Sequence, residues 1–452
     1  MLQGGVISPT LFNLFLEDLP RYLGQDYGVK IGNMLVSYLL HADDLVLMAE
    51  TQAGLQKLLD RLNKFCKRWD MIINASKTKI MIFNTKHIFA VDKNNTSFFL
   101  DDSEIKHAEK YKYLGTMISN VSKDPFEFNY PYLRGKALRA IAALRHDVKQ
   151  ALGFRLPIKL FFKSFDAQIR PIADYGCELW CSNNSIHDIE YVQNFFIKTT
   201  LCLRDSTPTP AILGETGRYP LYLKQHELLL RYLNRFDKMD KSRVLYKTFQ
   251  ELKDLDTDSH TTWFTKSQVI KNMYYNTDES INTLDSSSIY KAYSRSWLQS
   301  INDHTKYPKL RTYKTFKKVF EPETYLSSSY NWNHIIALAR FRTSSHNLNI
   351  EKGRHTKPIT PLHNRTCLFC QSSDIDDEFH FLMSCSFHSE NRKYLFDFIK
   401  SVIPGFDNMN NQDRFISIMS MLSYDGLKAT ARYVFDCFKH RENQSQVLAL
   451  QL

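Results

Sequence analysis

The chain has 452 residues, 59 Lys and Arg against 48 Asp and Glu, and an apolar fraction of 43%. This length fits two to four domains of roughly 100–200 residues each, and no apolar run approaches the roughly 18 residues of a membrane span, so we expect a soluble protein. The net charge of +11 favours a polyanionic partner such as nucleic acid, although basic residues dispersed over a solvated surface would give the same total.

The eight cysteines indicate a reducing compartment. Three of them lie with a histidine in one short segment, and this usage is typical of a metal site rather than of a disulfide framework. The first residues carry neither the basic nor the apolar region of a secretory signal. We therefore expect the protein in the nucleus or the cytoplasm.

An acidic pair lies near the start of the chain, after a Gly- and Pro-rich turn at 3–9 and a helical pattern from Leu11 to Leu19. Residues 37–48 contain two apolar, β-prone runs on either side of Asp43-Asp44, which predicts a hairpin of buried strands with two carboxylates at its turn. Such carboxylates suit Mg²⁺, but the same dipeptide is also common as plain turn chemistry.

The next elements alternate between helical and strand patterns. Thr51 is a suitable cap for an amphipathic helix that runs to about Asp70. Residues 71–83 predict a strand, a turn and a second strand, and residues 111–118 predict another strand region broken by Gly115. From about Pro131 the pattern becomes helical, with predicted helices at 138–152, 159–169, 188–203 and 221–236.

A Cys/His segment lies near the C-terminus, with the spacing C-x2-C-x9-H-x4-C. Its candidate ligands are Cys367, Cys370, His380 and Cys385. Four soft ligands at these spacings can close a tetrahedral Zn²⁺ site, whereas the alternative is a set of unpaired buried thiols. His363 or His388 could replace His380. Nearby Arg365, Arg392 and Lys393 are predicted to face nucleic-acid phosphate.

Several ordered segments resemble the reverse transcriptases of non-LTR (LINE-type) retrotransposons. In family order, residues 3–13 resemble motif B, Ala42-Asp43-Asp44 motif C, 74–83 motif D and 113–115 the primer grip. Leu156-Pro157, Arg170-Pro171, Tyr175-Gly176 and 178–180 resemble a segment downstream of the polymerase core, and the Cys/His segment resembles the family's C-terminal CCHC segment.

This resemblance implies an α+β fold with a partial polymerase palm, in which helices accompany an antiparallel sheet. A mostly helical thumb and connector and a small Cys/His zinc module would follow. The predicted regions are the palm at 1–125, the helical thumb or connector at 126–253, a polar linker or insertion at 254–290, and a C-terminal helical region at 291–452 with the zinc module at 363–390.

The resemblance also implies roles for individual residues. Asp43 and Asp44 would be the catalytic ligands of Mg²⁺, with Asp43 the more direct one, and Lys77 would act on the pyrophosphate leaving group. Five further residues would contact the nucleotide or the template–primer, namely Gln3, Gly4, His41, Leu114 and Gly115. His41 departs from the family, which has Tyr or Phe at this position, and it adds a titratable ring there.

The implied activity is RNA-directed DNA synthesis from an RNA template, a DNA primer and deoxynucleoside triphosphates, with no membrane partner. The family's other catalytic aspartate lies in motif A, which precedes motif B. This sequence begins at motif B and does not include motif A. Glu17, Asp18 and Asp26 lie in the wrong element to replace it. We therefore expect the chain alone to be inactive as a polymerase. The alternatives are a non-catalytic RNA- or DNA-binding remnant and a decayed element without function.

Overall fold

The chain forms two compact units, each assembled from separate stretches of sequence. The first contains Met1–Leu133, Tyr175–Ser185 and Leu228–Asn282, and the second contains Arg134–Asp174, Ile186–Glu227 and Thr283–Leu452. The computed structural model describes residues 6–83, 96–152, 157–183, 186–255, 262–275, 286–303, 305–327, 331–370 and 372–450.

Helices predominate, and the described strands are short. The α-helices are α1 (Ser8–Phe15), α2 (Leu19–Leu23), α3 (Gln52–Arg68), α4 (Asn129–Leu152), α5 (Ile158–Ser164), α6 (Arg170–Ala173), α7 (Cys177–Trp180), α8 (Ile186–Thr200), α9 (Thr209–Thr216), α10 (Leu221–Asp237), α11 (Val244–Asp254), α12 (Trp263–Tyr274), α13 (Ser286–Asn302), α14 (Tyr313–Phe316), α15 (Trp332–Arg342), α16 (Asn349–Lys352), α17 (Ser389–Val402), α18 (Asn411–Met419) and α19 (Tyr424–Leu450). The strands are β1 (Val29–Ile31), β2 (Met34–Val36), β3 (Tyr38–His41), β4 (Asp44–Leu47), β5 (Phe99–Leu100), β6 (Ser103–Glu104), β7 (Lys110–Tyr113) and β8 (Thr116–Ser119).

Consecutive strands pair as antiparallel hairpins, β1 with β2, β3 with β4, β5 with β6 and β7 with β8. Within the described residues these hairpins remain separate two-stranded sheets. The predicted α+β class and the predicted helical character after residue 131 are confirmed. The predicted 221–236 helix, for example, is α10.

Helix α3 organises the core of the first unit. The Thr51 side chain accepts a hydrogen bond from the Gly54 amide at 3.1 Å, as expected for an N-cap. Leu58 and Phe65 on its apolar face pack with residues of α1 and α2, and Leu45 and Leu47 of β4 pack against the same cluster. This contact positions the β3–β4 hairpin on the core.

The prediction of a strand, turn and strand over 71–83 is wrong for the strands. The turn is present because the Asn74 carboxamide oxygen accepts hydrogen bonds from the Ser76 hydroxyl at 2.7 Å and from the Lys77 amide at 3.2 Å. The residues before it do not pair, and Ile72 is 98% exposed. After the turn, Ile80 forms an isolated parallel bridge with His107.

The second unit has a larger core that includes a buried ion pair. Glu215 at the end of α9 is fully buried, and it accepts hydrogen bonds from Arg342 Nε at 2.5 Å and from the Tyr325 hydroxyl at 2.6 Å. The guanidinium also lies over the Phe316 ring. This buried ion pair connects α9 to α15 within the core of the second unit.

The segment predicted as a polar linker or insertion contains a described helix, α12. Ser267 and Ile270 on this helix are buried, and the Trp263 indole donates a hydrogen bond to the Glu178 carbonyl at 2.9 Å within the first unit. Among the described residues, no helix is both long enough and apolar enough to cross a membrane.

Candidate metal centres

The acidic pair lies at the turn of a hairpin, as the sequence predicts. In the β3–β4 register His41 pairs with Asp44 and Tyr38 pairs with Leu47, so that Ala42 and Asp43 form a two-residue turn. Ala42 has a φ of 51°, a left-handed conformation that favours glycine at this position of a hairpin. The tight turn holds the two carboxylates at one edge of the hairpin.

Both carboxylates are exposed, and so are two leucines of β3 beside them. The prediction of buried strands is wrong for β3, because Leu39 and Leu40 are 42% and 37% exposed. Each strand of the hairpin has a single pairing partner, and the hairpin packs on the core through Tyr38, Leu45 and Leu47. The acidic turn therefore lies at the exposed end of a hairpin that the core covers only in part.

At the acidic turn, the described residues form no group of three or more His, Cys, Asp or Glu side chains that could hold a metal ion. Within the described ranges, the Cys/His segment alone gathers three or more His, Cys, Asp or Glu side chains in an arrangement that could hold a metal ion. Asp26, one of the acids considered as a substitute, is engaged instead by the Arg61 guanidinium at 2.5 and 2.6 Å. Among the described residues, Asp43 and Asp44 therefore do not belong to a group of side chains that could by itself hold a metal ion.

The predicted primer-grip region is a second hairpin, β7–β8, with its turn at Leu114 and Gly115. The Tyr175 hydroxyl donates a hydrogen bond to the Leu114 carbonyl at 2.7 Å. A Cβ atom on Gly115, whose φ is 85°, would lie 2.9 Å from the Tyr175 ring, so this position requires glycine. Tyr175 belongs to one of the downstream segments that resemble the family, and in the structure it makes this local contact.

The two hairpins lie near each other at Tyr113. Burial, together with the charge of Asp44, raises the pKa of the Tyr113 hydroxyl, so the Asp44 carboxylate lies within electrostatic range of that hydroxyl. Tyr111 on the same strand donates to the Lys77 carbonyl at 3.2 Å. The structure thus gathers Asp44, Lys77 and the Leu114 turn in one region of the first unit.

The other predicted contact residues have different surroundings. His41 is exposed at the end of β3, opposite Asp44 in the ladder, and the Lys77 side chain is exposed on its turn. Gln3 and Gly4 lie outside the described residues.

The four candidate zinc ligands converge in the second unit. One ligand atom from each of Cys367, Cys370, His380 and Cys385 lies within 4.8 Å of all the others. The Cys367 and Cys385 sulfurs are 3.9 Å apart, close to the edge of about 3.8 Å that four Zn–S bonds of about 2.3 Å would give in a tetrahedron. The donor set and its spacing fit Zn²⁺.

His380 presents one ring nitrogen to the sulfurs and the other to oxygen atoms. Its Nε2 lies 3.4 Å from Cys370 Sγ, whereas its Nδ1 lies 3.1 Å from the Ser384 hydroxyl and 3.3 Å from an Asp374 carboxylate oxygen. A metal-ligating histidine commonly has such an oxygen partner on its second nitrogen, which fixes the ring and its tautomer.

The environment favours thiolate at Cys385 and charged imidazole at His380. The hydrogen bond from Cys367 lowers the pKa of Cys385 to about 7 despite burial, and Arg441 acts in the same direction. At His380 burial opposes the charged form, but hydrogen bonds with Cys367 and Cys370 raise its pKa to about 9. The four donors therefore already interact strongly with one another.

The alternative histidines have other roles. His363 is exposed, and His388 accepts a hydrogen bond on Nε2 from Arg441 Nε at 2.9 Å. The prediction that Arg365 faces phosphate is wrong, because this residue is buried and donates to the Ile350 carbonyl at 2.9 Å. Arg392 donates to the Cys385 carbonyl at 2.9 Å.

Arg441 on α19 supports the cluster, and the sequence reasoning missed it. Its Nη2 lies 3.5 Å from the sulfurs of both Cys367 and Cys385, and its Nη1 donates to Asp376 at 2.8 Å. A signal was available, because Arg441 continues the apolar helical stripe of Val434, Cys437 and Phe438. A charged residue in such a stripe needs a buried partner.

Comparison with known proteins agrees with the arrangement in the first unit. Residues 1–118 match the family described as reverse transcriptase (RNA-dependent DNA polymerase). The chain is 37% identical over 139 residues to the retrovirus-related Pol polyprotein from the type-2 retrotransposable element R2DM of Drosophila melanogaster, a match that covers 29% of this chain and 13% of that protein.

Two further relatives extend this similarity. The Pol polyprotein from the type-1 retrotransposable element R2 of Nasonia vitripennis is 30% identical over 146 residues, covering 31% of this chain and 14% of its own length. The probable RNA-directed DNA polymerase from transposon X-element of Drosophila melanogaster is 24% identical over 257 residues, a match that covers 52% of this chain and 26% of that protein. The matches therefore span about a quarter or less of these relatives. Residues 1–118 are thus similar to reverse transcriptases, and these relatives of the chain are proteins of retrotransposable elements.

Proposed function

We propose that the first unit supplies part of the catalytic centre of an RNA-directed DNA polymerase. The observation that carries this proposal is the exposed Asp43-Asp44 turn, held on a hairpin beside the β7–β8 turn inside the segment that matches reverse transcriptases. The substrates would be an RNA template, a DNA primer and deoxynucleoside triphosphates.

The residues of this region would have separate roles in nucleotide transfer. Asp43 and Asp44 would hold Mg²⁺, which when bound supplies charge neutralisation and activation of the primer hydroxyl. The backbone of the Leu114–Gly115 turn would position the primer end. Lys77, on its exposed turn near β7, would lie toward the leaving pyrophosphate, and the His41 ring would border the primer.

We also propose that the described residues alone do not polymerise. Transfer by two metal ions requires carboxylates that converge from two places, and the described residues bring a single pair to the turn. A third carboxylate would have to come from residues outside the described ranges or from another polypeptide.

Primer extension tests both parts of this proposal. The chain is assayed with Mg²⁺, alone and with a polypeptide that carries the segment preceding the matched region in the X-element relative. We expect synthesis only in the mixture, and we expect Asp43→Asn to reduce it by more than about a hundredfold. Asp102→Asn, at an exposed acid elsewhere in this unit, is the matched control.

Two results would count against the proposal. Equal synthesis by Asp43→Asn and wild-type mixtures would remove the acidic turn from the catalytic centre. Efficient synthesis by the chain alone would contradict the requirement for a third carboxylate from elsewhere.

For the second unit we propose a structural Zn²⁺ site at Cys367, Cys370, His380 and Cys385. Its support is the convergence of four donor atoms within 4.8 Å and the outer contacts from Arg441 and Asp374. Elemental analysis of purified protein should give about one zinc per chain. Chelator-treated protein that keeps its unfolding temperature would contradict a structural role.

A second candidate function is non-catalytic binding of RNA or DNA. The net charge of +11 and the self-contained Cys/His cluster favour it independently of the acidic turn. Salt-dependent nucleic-acid binding, without synthesis in any mixture, would favour this candidate over the polymerase.

A further inference from the structure

Five basic side chains from distant parts of the sequence meet in the second unit. They are Lys198 at the end of α8, Arg204 in the loop that follows, Lys309, Arg340 in α15 and Arg354 after α16. We call this set the basic cluster. Each member is half-buried, so that part of each side chain remains accessible to solvent.

The loop after α8 brings the two lysines together. Lys198 Nζ donates to the Asp205 carbonyl at 2.5 Å, and Lys309 Nζ donates to the Ser206 hydroxyl at 2.8 Å. Because Asp205 and Ser206 are adjacent, the two ammonium groups lie at the same short stretch of backbone. Both ammonium groups are therefore held beside this stretch by hydrogen bonds.

The arginines attach to the segment after α15. The Arg204 guanidinium donates to the Asn347 side chain, its backbone amide donates to the Ser345 hydroxyl at 2.8 Å, and Arg340 Nε donates to the Ser345 carbonyl at 3.3 Å. Arg354 Nη2 donates to the carbonyl of Pro308, the residue before Lys309, at 3.4 Å. Neutral backbone and side-chain groups thus hold most of these cations in place.

Negative charge near the basic cluster is limited. Glu351 is fully buried beneath it, with carboxylate oxygens 3.2 Å from Arg354 Nε, 3.8 Å from Lys309 Nζ and 2.8 Å from Arg311 Nη1. Asp205 is exposed at its edge. Among the residues that the structure describes, Glu351 and Asp205 are therefore the carboxylates placed against the five cations of the cluster, and Arg311 already shares Glu351.

The cations repel one another in this arrangement. Burial lowers the pKa of Lys309, and Arg354, Arg204 and Lys198 lower it further, whereas Glu351 opposes this effect. Burial and the charge of Arg340 likewise lower the pKa of Arg204. When an anion binds between like charges that are held together in this way, it reduces their mutual repulsion and stabilises the folded protein.

We propose that the basic cluster is a binding surface for the phosphodiester backbone of nucleic acid. Five cations on several elements are more than one small anion can engage, whereas successive phosphates of a strand can contact them in turn. Guanidinium groups suit bidentate phosphate contacts, and contacts of this kind position a strand without reading its bases. This proposal rests on the proposed nucleic-acid function and assigns it a site in the second unit.

Binding of labelled single-stranded RNA and of duplex DNA to the full chain, without nucleotides, tests the assignment. The double variant Arg204→Gln, Arg340→Gln removes two cations that do not pair with Glu351. We expect its affinity at about 0.1 M salt to fall about tenfold or more. The slope of log affinity against log salt is negative, and we expect its magnitude to become smaller by about 1.4–1.8. The control is Lys428→Gln, Lys439→Gln, which removes two charges from exposed positions of α19.

The variants also separate this assignment from a folding defect. Lys198→Gln, whose side chain donates to a carbonyl, should lower the salt slope by about 0.7–0.9 while the urea midpoint stays at the wild-type value. Affinities of the double variant equal to those of its control would overturn the assignment. Because the assay contains no nucleotides, loss of polymerisation with retained cluster-dependent binding would leave the assignment standing.

Discussion

The acidic turn and the Cys/His cluster are both candidate metal sites, but they are built differently. At the cluster, four donors lie within 4.8 Å, and side chains of the same unit fix their orientation and charge. At the turn, two exposed carboxylates lie at the edge of a two-stranded hairpin, where the described residues form no group of three or more ligands that could hold a metal ion. The cluster therefore has a complete set of protein ligands for one metal ion, whereas the turn has an incomplete set.

The difference follows from the demands of the two chemistries. A structural metal needs a complete set of protein ligands that excludes water, and its binding energy then stabilises the fold. A catalytic Mg²⁺ keeps positions for water and substrate, so its carboxylates must remain accessible. Changes at the ligands of the cluster should therefore alter metal content and stability, whereas changes at the two carboxylates of the turn should alter neither in the isolated chain.

The largest effect is expected from Cys385→Ser. Loss of one thiolate opens the tetrahedral set, so zinc content should fall from about one per chain to near zero. The free energy of unfolding of the second unit should decrease by at least about 2 kcal/mol. Elemental analysis and thermal unfolding measure the two effects. Cys202→Ser, at an exposed cysteine outside the cluster, should change neither value, and equal zinc content in both variants would exclude the cluster as the site.

A smaller effect is expected from Arg441→Lys. The substitution keeps a cation beside Asp376 but removes the planar donor that contacts both sulfurs. Zinc affinity should fall about 10–100-fold, the range typical of outer-shell changes. Competition with a chromophoric chelator measures it, and Arg432→Lys on the exposed face of α19 is the matched control. An affinity equal to that of the control would remove Arg441 from the support of the site.

At the acidic turn, Ala42→Gly should slow hydrogen exchange of the hairpin amides by about threefold. Ala42 has a φ of 51°, and glycine removes the strain of the left-handed conformation, which outweighs its larger entropy in the unfolded chain. Ala42→Val should have the opposite effect, because a β-branched residue tolerates this conformation poorly. Faster exchange in the glycine variant would mean that the turn has another conformation.

The smallest effect is expected from Asp43→Asn in the chain alone. The carboxylate is exposed, so its loss should change the free energy of unfolding by less than about 0.5 kcal/mol and leave zinc content unchanged. Urea unfolding measures the first quantity. A large loss of stability would mean that Asp43 has a structural role and would weaken the contrast between the two sites.

Sequence patterns predicted much of this structure because several of them are local. The Thr51 cap, the long helices after residue 131 and the Asp43-Asp44 turn each depend on residues close together in the chain. The spacing of the Cys/His segment likewise limits how its ligands can converge, and the structure brings together the four that were named.

The remaining features depend on contacts between distant residues. Arg441 approaches sulfurs that lie 74 and 56 residues away, and Arg204 contacts Asn347 across 143 residues. The exposure of Leu39 depends on which neighbours cover the hairpin, and the burial of Arg365 depends on the Ile350 carbonyl. Periodicity and spacing carry no information on such pairs.

The place of Arg441 in the chain also sets an order of events during synthesis. The ribosome completes Cys385 before it adds the 56 residues that lead to Arg441, which takes roughly 3–11 s at about 5–20 residues per second. During that interval a nascent chain has all four ligands but lacks the cation that offsets their charge. If the cluster binds zinc as proposed, metal taken up early would exchange more readily than metal bound after α19 is complete, so a ribosome that stalls within α19 would hold a labile form of the site.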